Sequence, residues 1–262
     1  MNPLKQIQGM GLVVLLLVGG RFAQGEGADH QLFSTVLSEF VADGLVDYAG
    51  LRNEKRLDHY LQQLDQTDPT RFATEVERLT LWINAYNAYT LKLVADNYPI
   101  NSVHELGMGG RIIGWLLNRS PWDSRFAKVG GKAYTLNEIE HEILRVRFDE
   151  PRLHFAIVCA AVSCPHLRSE AYFPDRLEVQ LDEQAKIFLN DSRNNRFDSV
   201  EKKAELSSIF SWFKNDFGGS DESTLKFIVP FLPEKTADAM RRDCFDWDVS
   251  SPHYDWSLND RP

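Results

Sequence analysis

Leu81-Trp82-Ile83-Asn84-Ala85-Tyr86-Asn87-Ala88-Tyr89-Thr90 is apolar almost all round a helical turn, and it sits inside a helix predicted from Glu75 to Asn97. A helix with no continuous polar face is buried. The chain must then be organised around it, with other segments packed on several sides. Asn84, Asn87 and Thr90 break the pattern, forming one narrow polar stripe at i, i+3 and i+6. Inside a core such amides hydrogen-bond to neighbouring backbone and fix the packing. The competing reading gives Asn84 a catalytic task, holding an imidazole in place as the amide of a thiol protease does.

The flanking segments supply the packing partners. Phe33, Leu37, Phe40 and Val41 share one face of a helix from Asp29 to Val41; Leu57, Tyr60, Leu61 and Leu64 do so between Glu54 and Gln66, and Leu177, Leu181, Ala185 and Phe188 between Asp175 and Leu189. Val46-Asp47-Tyr48 reads as extended. Gly130-Gly131 turns a β-hairpin between Arg125–Val129 and Lys132–Tyr134, and a second hairpin pairs Arg196–Ser199 with Ala204–Ser208. Ile209 to Phe217 is a short aromatic helix, Pro230 and Pro233 break the helical pattern of Leu225 to Arg242, and the end, Cys244 to Trp247 and His253 to Leu258, is aromatic and reads as a late strand. No repeat or linker divides the chain. The expectation is α+β, a helix-rich single domain over residues 26–262 packed on a small antiparallel sheet.

Composition narrows the function class. The 262 residues are 43% hydrophobic and 26% charged, as in an ordinary globular protein. Lys5 followed by an apolar run from Met10 to Gly20, with small residues at Ala23-Gln24-Gly25, reads as a signal peptide over residues 1–25, too short to span a membrane. The expected location is periplasmic or secreted, with no stable membrane span after cleavage. Losing Lys5 and Arg21 leaves 27 bases against 38 acids, a charge of −11, which argues against nucleic acid as a partner. Gly107 to Gly114 holds four glycines but lacks the strand, helix and lysine of a nucleotide loop, and no cofactor is expected.

Chemistry concentrates in His154-Phe-Ala-Ile-Val-Cys159-Ala-Ala-Val-Ser-Cys164-Pro165-His166-Leu167, which holds two of three cysteines and two of seven histidines. Phe155 to Val158 reads as a short buried strand, on which His154 and Cys159 point to opposite faces. Pro165 suits the first turn of a helix, putting Cys164 at its N-cap, where the dipole stabilises a thiolate. Three readings follow. Cys164 is a nucleophile, with His154 or His141 as base and Glu140 or Asn84 as orienting group. Cys159 and Cys164 form a disulfide. Cys159, Cys164 and His166 bind a metal, although C-x4-C-x-H is not a usual zinc spacing.

Thr135-Leu-Asn-Glu138 is a capping box, and the helix it opens carries Glu140 among Leu136, Ile143 and Leu144. A carboxylate on that face needs a partner. The candidates are Arg145, Arg147 or Arg152 in an ion pair, or a histidine, either His141 beside it or His154 across the fold.

Leu81-Trp-Ile-Asn-Ala-Tyr-Asn-Ala, Leu136-Asn-Glu-Ile-Glu-His-Glu-Ile-Leu-Arg145, the His154–Leu167 stretch, Ser208-Ile-Phe-Ser-Trp and Tyr254-Asp-Trp-Ser-Leu-Asn259 together resemble the successive signatures of the domain-of-unknown-function 547 family. The resemblance runs from about Phe33 to Asn259. It implies a papain-like or thiol-hydrolase-like arrangement with Cys, His and Glu as the working set. The leading expectation is a thiol-dependent hydrolase or transpeptidase acting on a peptide or amide through an acyl-enzyme at Cys164. The alternative is a non-catalytic periplasmic domain that binds a peptide, protein or small-molecule ligand, with Cys159 and Cys164 as a structural pair.

Overall fold

The structure, a computed structural model, describes residues 27–106, 121–243 and 246–261. Residues 1–25, expected to be a signal peptide, the glycines of 107–114 with Trp115 and Leu116, and Cys244 lie outside the described residues.

The long helix α4 runs Glu75–Asn97, opened by a reciprocal capping box between Thr74 and Glu77. Every residue from Leu79 to Leu91 is buried, so the all-round apolar pattern does report a central helix. Around it stand α1 (His30–Phe40), capped by Asp29, the short α2 (Tyr48–Leu51) and α3 (Lys55–Gln66), capped by Glu54. Phe33 and Tyr60 stack at 4.7 Å and 5° where α1 meets α3. Among the described residues no helix is long and apolar enough to cross a membrane.

The strands do not form one sheet. β1 (Val41–Ala42) and β2 (Leu45–Val46) make a tight hairpin about Asp43-Gly44, both with positive φ. Tyr48, expected to be extended, opens α2 because the Asp47 carboxylate caps the helix by accepting from Gly50 N–H. β3 (Ala127–Val129) and β4 (Lys132–Tyr134) form the expected hairpin over Gly130 and Gly131 at φ 61° and 73°. β5 (Arg196–Asp198) pairs antiparallel with β6 (Lys203–Glu205), and β6 pairs parallel with β7 (Asp248–Ser250). The molecule is helix-rich α+β with three small sheets, two antiparallel and one mixed. No strand among those described exceeds three residues, so each sheet is a small separate unit.

A helical stretch α5 covers residues 136–147, with a π-turn at Ile139–Leu144 closed by Arg145 N–H to the Glu140 carbonyl. Next comes α6 (Leu153–Ala156), where a strand was expected. A short apolar run does not by itself separate helix from strand. Here Glu150 and Pro151 accept from the N–H groups of Leu153 and His154 and wind the chain into a turn. Then come α7 (Leu177–Leu189), α8 (Ser208–Trp212), a 3-10 turn Lys214–Phe217, α9 (Asp221–Ile228) and α10 (Glu234–Asp243). The last residues thread back into the core: Asp260 bridges Val46, Leu258 bridges Ala161 and Ser257 bridges Ser102.

Candidate functional site

The polar stripe of α4 builds the floor of the site. Asn87 donates from Nδ2 to the Ala156 carbonyl at 2.9 Å and accepts at Oδ1 from Val158 N–H at 3.1 Å, ending α6 and aiming the chain toward Cys159. Asn84 does the same for Tyr172, donating to its carbonyl at 2.8 Å and accepting its N–H at 2.9 Å. Both amides are committed to backbone, and none of Asn84's hydrogen bonds goes to a histidine.

Beyond Val158 the chain reaches Cys159, half-buried, and turns sharply at Ala160, whose φ of 63° lies in the left-handed region. Cys164 N–H donates to the Ala161 carbonyl at 3.1 Å, closing a turn. No helix begins at Pro165, so Cys164 is not the helix N-cap that was expected; the C-terminal segment instead pairs with the loop before it, at residues 160–163. Cys164 is 4% exposed, and its sulfur accepts the Cys159 N–H at 2.7 Å. Both sulfurs are free thiols.

The two thiols are unequal. Burial pushes the Cys164 thiol far up, and the neighbouring Cys159 adds to this. Cys159 is held below the ordinary thiol range by the side-chain hydrogen bond from Cys164, against the cost of burial, with help from the Tyr254 hydroxyl, 3.4 Å from its sulfur, and the Ala161 backbone. Tyr254 in turn stays protonated far above its usual range, through burial and the negative charge the two sulfurs would carry. Of the pair, Cys159 is the thiol whose surroundings favour the thiolate.

Glu140 is buried and accepts from the Tyr86 hydroxyl at 2.9 Å; the Trp122 indole donates to the same hydroxyl at 3.1 Å. None of the expected partners Arg145, Arg147, Arg152, His141 or His154 hydrogen-bonds this carboxyl, because the π-turn directs it at α4. Burial raises its pKa, favouring the neutral acid. Charge on either cysteine would also raise Tyr86, which puts Glu140, Tyr86 and the thiols in one electrostatic neighbourhood.

The histidines form a separate network. His154 Nε2 lies 2.7 Å from Asp216, and its ring stacks on Phe213 at 4.2 Å. Arg145 donates to both oxygens of Asp216, at 2.6 and 2.9 Å, and to His141 Nδ1 at 3.0 Å. His154 and His141 are thus tied together through Arg145 and Asp216 and carry no hydrogen bond to either cysteine. His166 faces Arg193 at 2.6 Å and Asp191 at 3.4 Å, and among the described residues no three His, Cys, Asp or Glu side chains converge as a metal ion would need. A shallow pocket of about 10 Å³, room for little more than one water, lies beside it and is lined by Asp43, Gly44, Cys164, His166, Arg193 and Asn259.

Burial lowers the His154 pKa to about 4, outweighing its bond to Asp216. The folded chain therefore favours the neutral ring. Stability from this group is complete above the unfolded value of 6.5 and falls as pH drops toward 4, by an amount on the order of 3 kcal/mol. Asp216, held below its ordinary value by Arg145 and His154 against burial, contributes its own loss at still lower pH. Urea midpoints from pH 7 to 4 should fall more steeply for the native chain than for His154→Gln. Equal slopes would show that His154 takes up its proton as readily in the fold as in the unfolded chain.

Sequence reasoning passed over Tyr254, Tyr86 and Asp216. The Tyr254–Asn259 motif carried the signal for the first, since it clamps the cysteine loop: Asn259 N–H donates to Ala160 O at 3.0 Å, Val162 N–H to Ser257 O at 2.8 Å and Ser163 N–H to Asp255 O at 3.1 Å. Asn259 itself accepts from the Tyr48 hydroxyl at 2.8 Å and donates to Gly44 O at 2.9 Å.

Residues 70–189 match the model of the family described as "Protein of unknown function, DUF547". That span holds Tyr86, Glu140, His141, His154, Cys159 and Cys164, whereas Asp216 and the Tyr254–Asn259 clamp lie beyond it. No curated protein and no solved structure matches the chain.

Proposed function

We propose that the domain is a thiol-dependent enzyme, exported to the periplasm or beyond, that opens a peptide or amide bond by acyl transfer with Cys159 as nucleophile. One observation carries the reading: the half-buried Cys159 sulfur is hydrogen-bonded by Tyr254 at 3.4 Å and backed by a second thiol, which together favour thiolate. The Cys159 thiolate attacks the carbonyl carbon and forms the S–C bond. The C–N bond then breaks, and the leaving nitrogen takes the Tyr254 proton, which the raised phenol retains until that moment. Water, or an amine in transpeptidation, attacks the thioester, returns a proton to Tyr254 and frees the thiolate. The hydrogen bonds of Tyr254 and Cys164 do here what an imidazole base does elsewhere, while His154 and Asp216 brace α6 against the turn at 214–217.

The rim of the site is aromatic. Trp256 lies 4.4 Å from Tyr254 and 5.6 Å from Trp212, whose ring is 49% exposed. Such a surface suits the apolar part of an acyl donor.

Iodoacetamide alkylation between pH 6 and 9, followed by peptide mapping, tests the assignment. Cys159 should react first, with a midpoint below the ordinary thiol value of about 8.5. Tyr254→Phe should shift that midpoint upward, and a p-nitrophenyl ester panel should leave an acyl group on Cys159. Equal labelling of Cys159 and Cys164 together with no acyl adduct would sink the reading.

A further inference from the structure

We infer that Cys159 and Cys164 are also a redox-active dithiol, which exchanges with a disulfide-class oxidant and closes into an internal disulfide. The inference rests on the reading of Cys159 as the outward, reactive thiol, and adds a second activity to the same sulfur. The Cys164 sulfur sits 2.7 Å from the Cys159 amide nitrogen and shares a hydrogen bond with the Cys159 side chain.

The loop between them is built to hold that placement. Ala160 adopts φ 63°, a conformation that costs a residue with a Cβ on the order of 1 kcal/mol and persists only where its surroundings impose it. The surroundings are the C-terminal clamp. The Ala160 carbonyl, the Ala161 bridge to Leu258, the Val162 N–H and the Ser163 N–H are all taken by residues 255–259, and Asp255 N–H returns to the Ser163 hydroxyl at 3.0 Å. Exposure separates the roles. Cys159 is half-buried, whereas Cys164 is 4% exposed and so the less accessible of the two to an external oxidant.

The exchange balances in two displacements. The Cys159 thiolate attacks one sulfur of a disulfide RSSR; that S–S bond breaks, a Cys159–S–S–R mixed disulfide forms and RS⁻ leaves. Cys164 passes its proton to the departing thiolate and attacks the Cys159 sulfur, forming the Cys159–Cys164 bond and releasing the second RS⁻, which takes a proton from water. Two protein thiols are oxidised and one external disulfide is reduced to two thiols. The closed form carries no nucleophile, so acyl transfer stops until a thiol reductant reopens the pair.

The test uses the chain with Cys244→Ser, which removes the third cysteine, in oxidised glutathione, and in parallel with insulin as a protein disulfide; intact mass and peptide mapping give the readout. The faster oxidant identifies the source. With both cysteines present, the expected product is a Cys159–Cys164 disulfide, two hydrogens lighter and without a retained adduct. Cys164→Ser should instead accumulate a stable glutathione adduct on Cys159, and Cys164→Ala, which introduces no hydroxyl into the buried site, should do the same. Far-UV circular dichroism verifies folding of each. A pair that stays reduced in both oxidants, or that keeps glutathione on Cys159 despite a present Cys164, overturns the inference. Acylation is scored separately: an internal disulfide without an acyl adduct removes the acyl-transfer reading alone, and an acyl adduct without an internal disulfide removes the redox inference alone.

Discussion

Replacing Asn87 by leucine is expected to lower folding stability by about 4 kcal/mol, read as a fall in urea midpoint at unchanged slope. Leucine is close in volume, so the loss does not come from a cavity. It comes from the two backbone groups the amide serves, the Ala156 carbonyl and the Val158 N–H, which lie in a fully buried run. No water reaches them, and each unmade bond costs about 1–3 kcal/mol. Because these groups set where α6 ends and where Cys159 begins, the variant should also lose the preference of iodoacetamide for Cys159 over Cys164. Asn97, on the same helix, bonds the Leu93 carbonyl from an exposed position. Asn97→Ala should stay within about 0.5 kcal/mol of the native chain. If Asn87→Leu is equally mild, the amide stripe is not what positions the cysteine loop.

Asp216→Ala should cost about 3 kcal/mol, for a different reason. The carboxylate receives two hydrogen bonds from Arg145 and one from His154, and the Arg145 and Asp216 side chains are only 25% and 23% exposed. Removing the acid leaves a partly buried guanidinium without its counter-charge, against the face of Phe213 at 4.7 Å and close to the histidine pair. Partial solvent access keeps the cost at the lower end of the range for a buried pair. A double variant in which Arg145 is also replaced by methionine should recover part of the loss, since no stranded charge remains. In the folded fraction, Cys159 alkylation should keep its rate, because the histidine network carries no bond to either sulfur. A folded Asp216→Ala whose Cys159 had become inert would instead put His154 in the acid–base chemistry.

Much of the architecture was legible from residue order. The bounds of α4, the Thr135 capping box, the Gly130-Gly131 hairpin and the inward faces of α1, α3 and α7 all follow from periodicity and local hydrogen bonding, which act within a few residues. The stretch His154–Leu167 was legible as a site region because of its residue types, and its internal geometry was not. Phe155 to Val158 has the composition of a strand, yet Pro151 and Glu150 start a helical turn there and Asn87, some seventy residues away, ends it. The assignment of nucleophile changed for the same kind of reason. Pro165 is locally suited to open a helix at Cys164, but the clamp from residues 255–259 holds the loop in another shape and leaves Cys164 buried behind Cys159.

What the sequence by itself determined is therefore the helical core, its caps and the segment that holds the thiols, because propensity, amphipathic spacing and capping are short-range properties carried by each stretch alone. Only the tertiary structure decided which thiol is buried and which meets Tyr254, that Glu140 meets Tyr86 rather than a histidine, and that His154 belongs to Asp216. Those outcomes depend on burial and on hydrogen-bond partners 54 to 95 residues apart. The energy of a charge or a thiolate is set by which groups the fold brings within a few ångströms, and no local pattern encodes that distance.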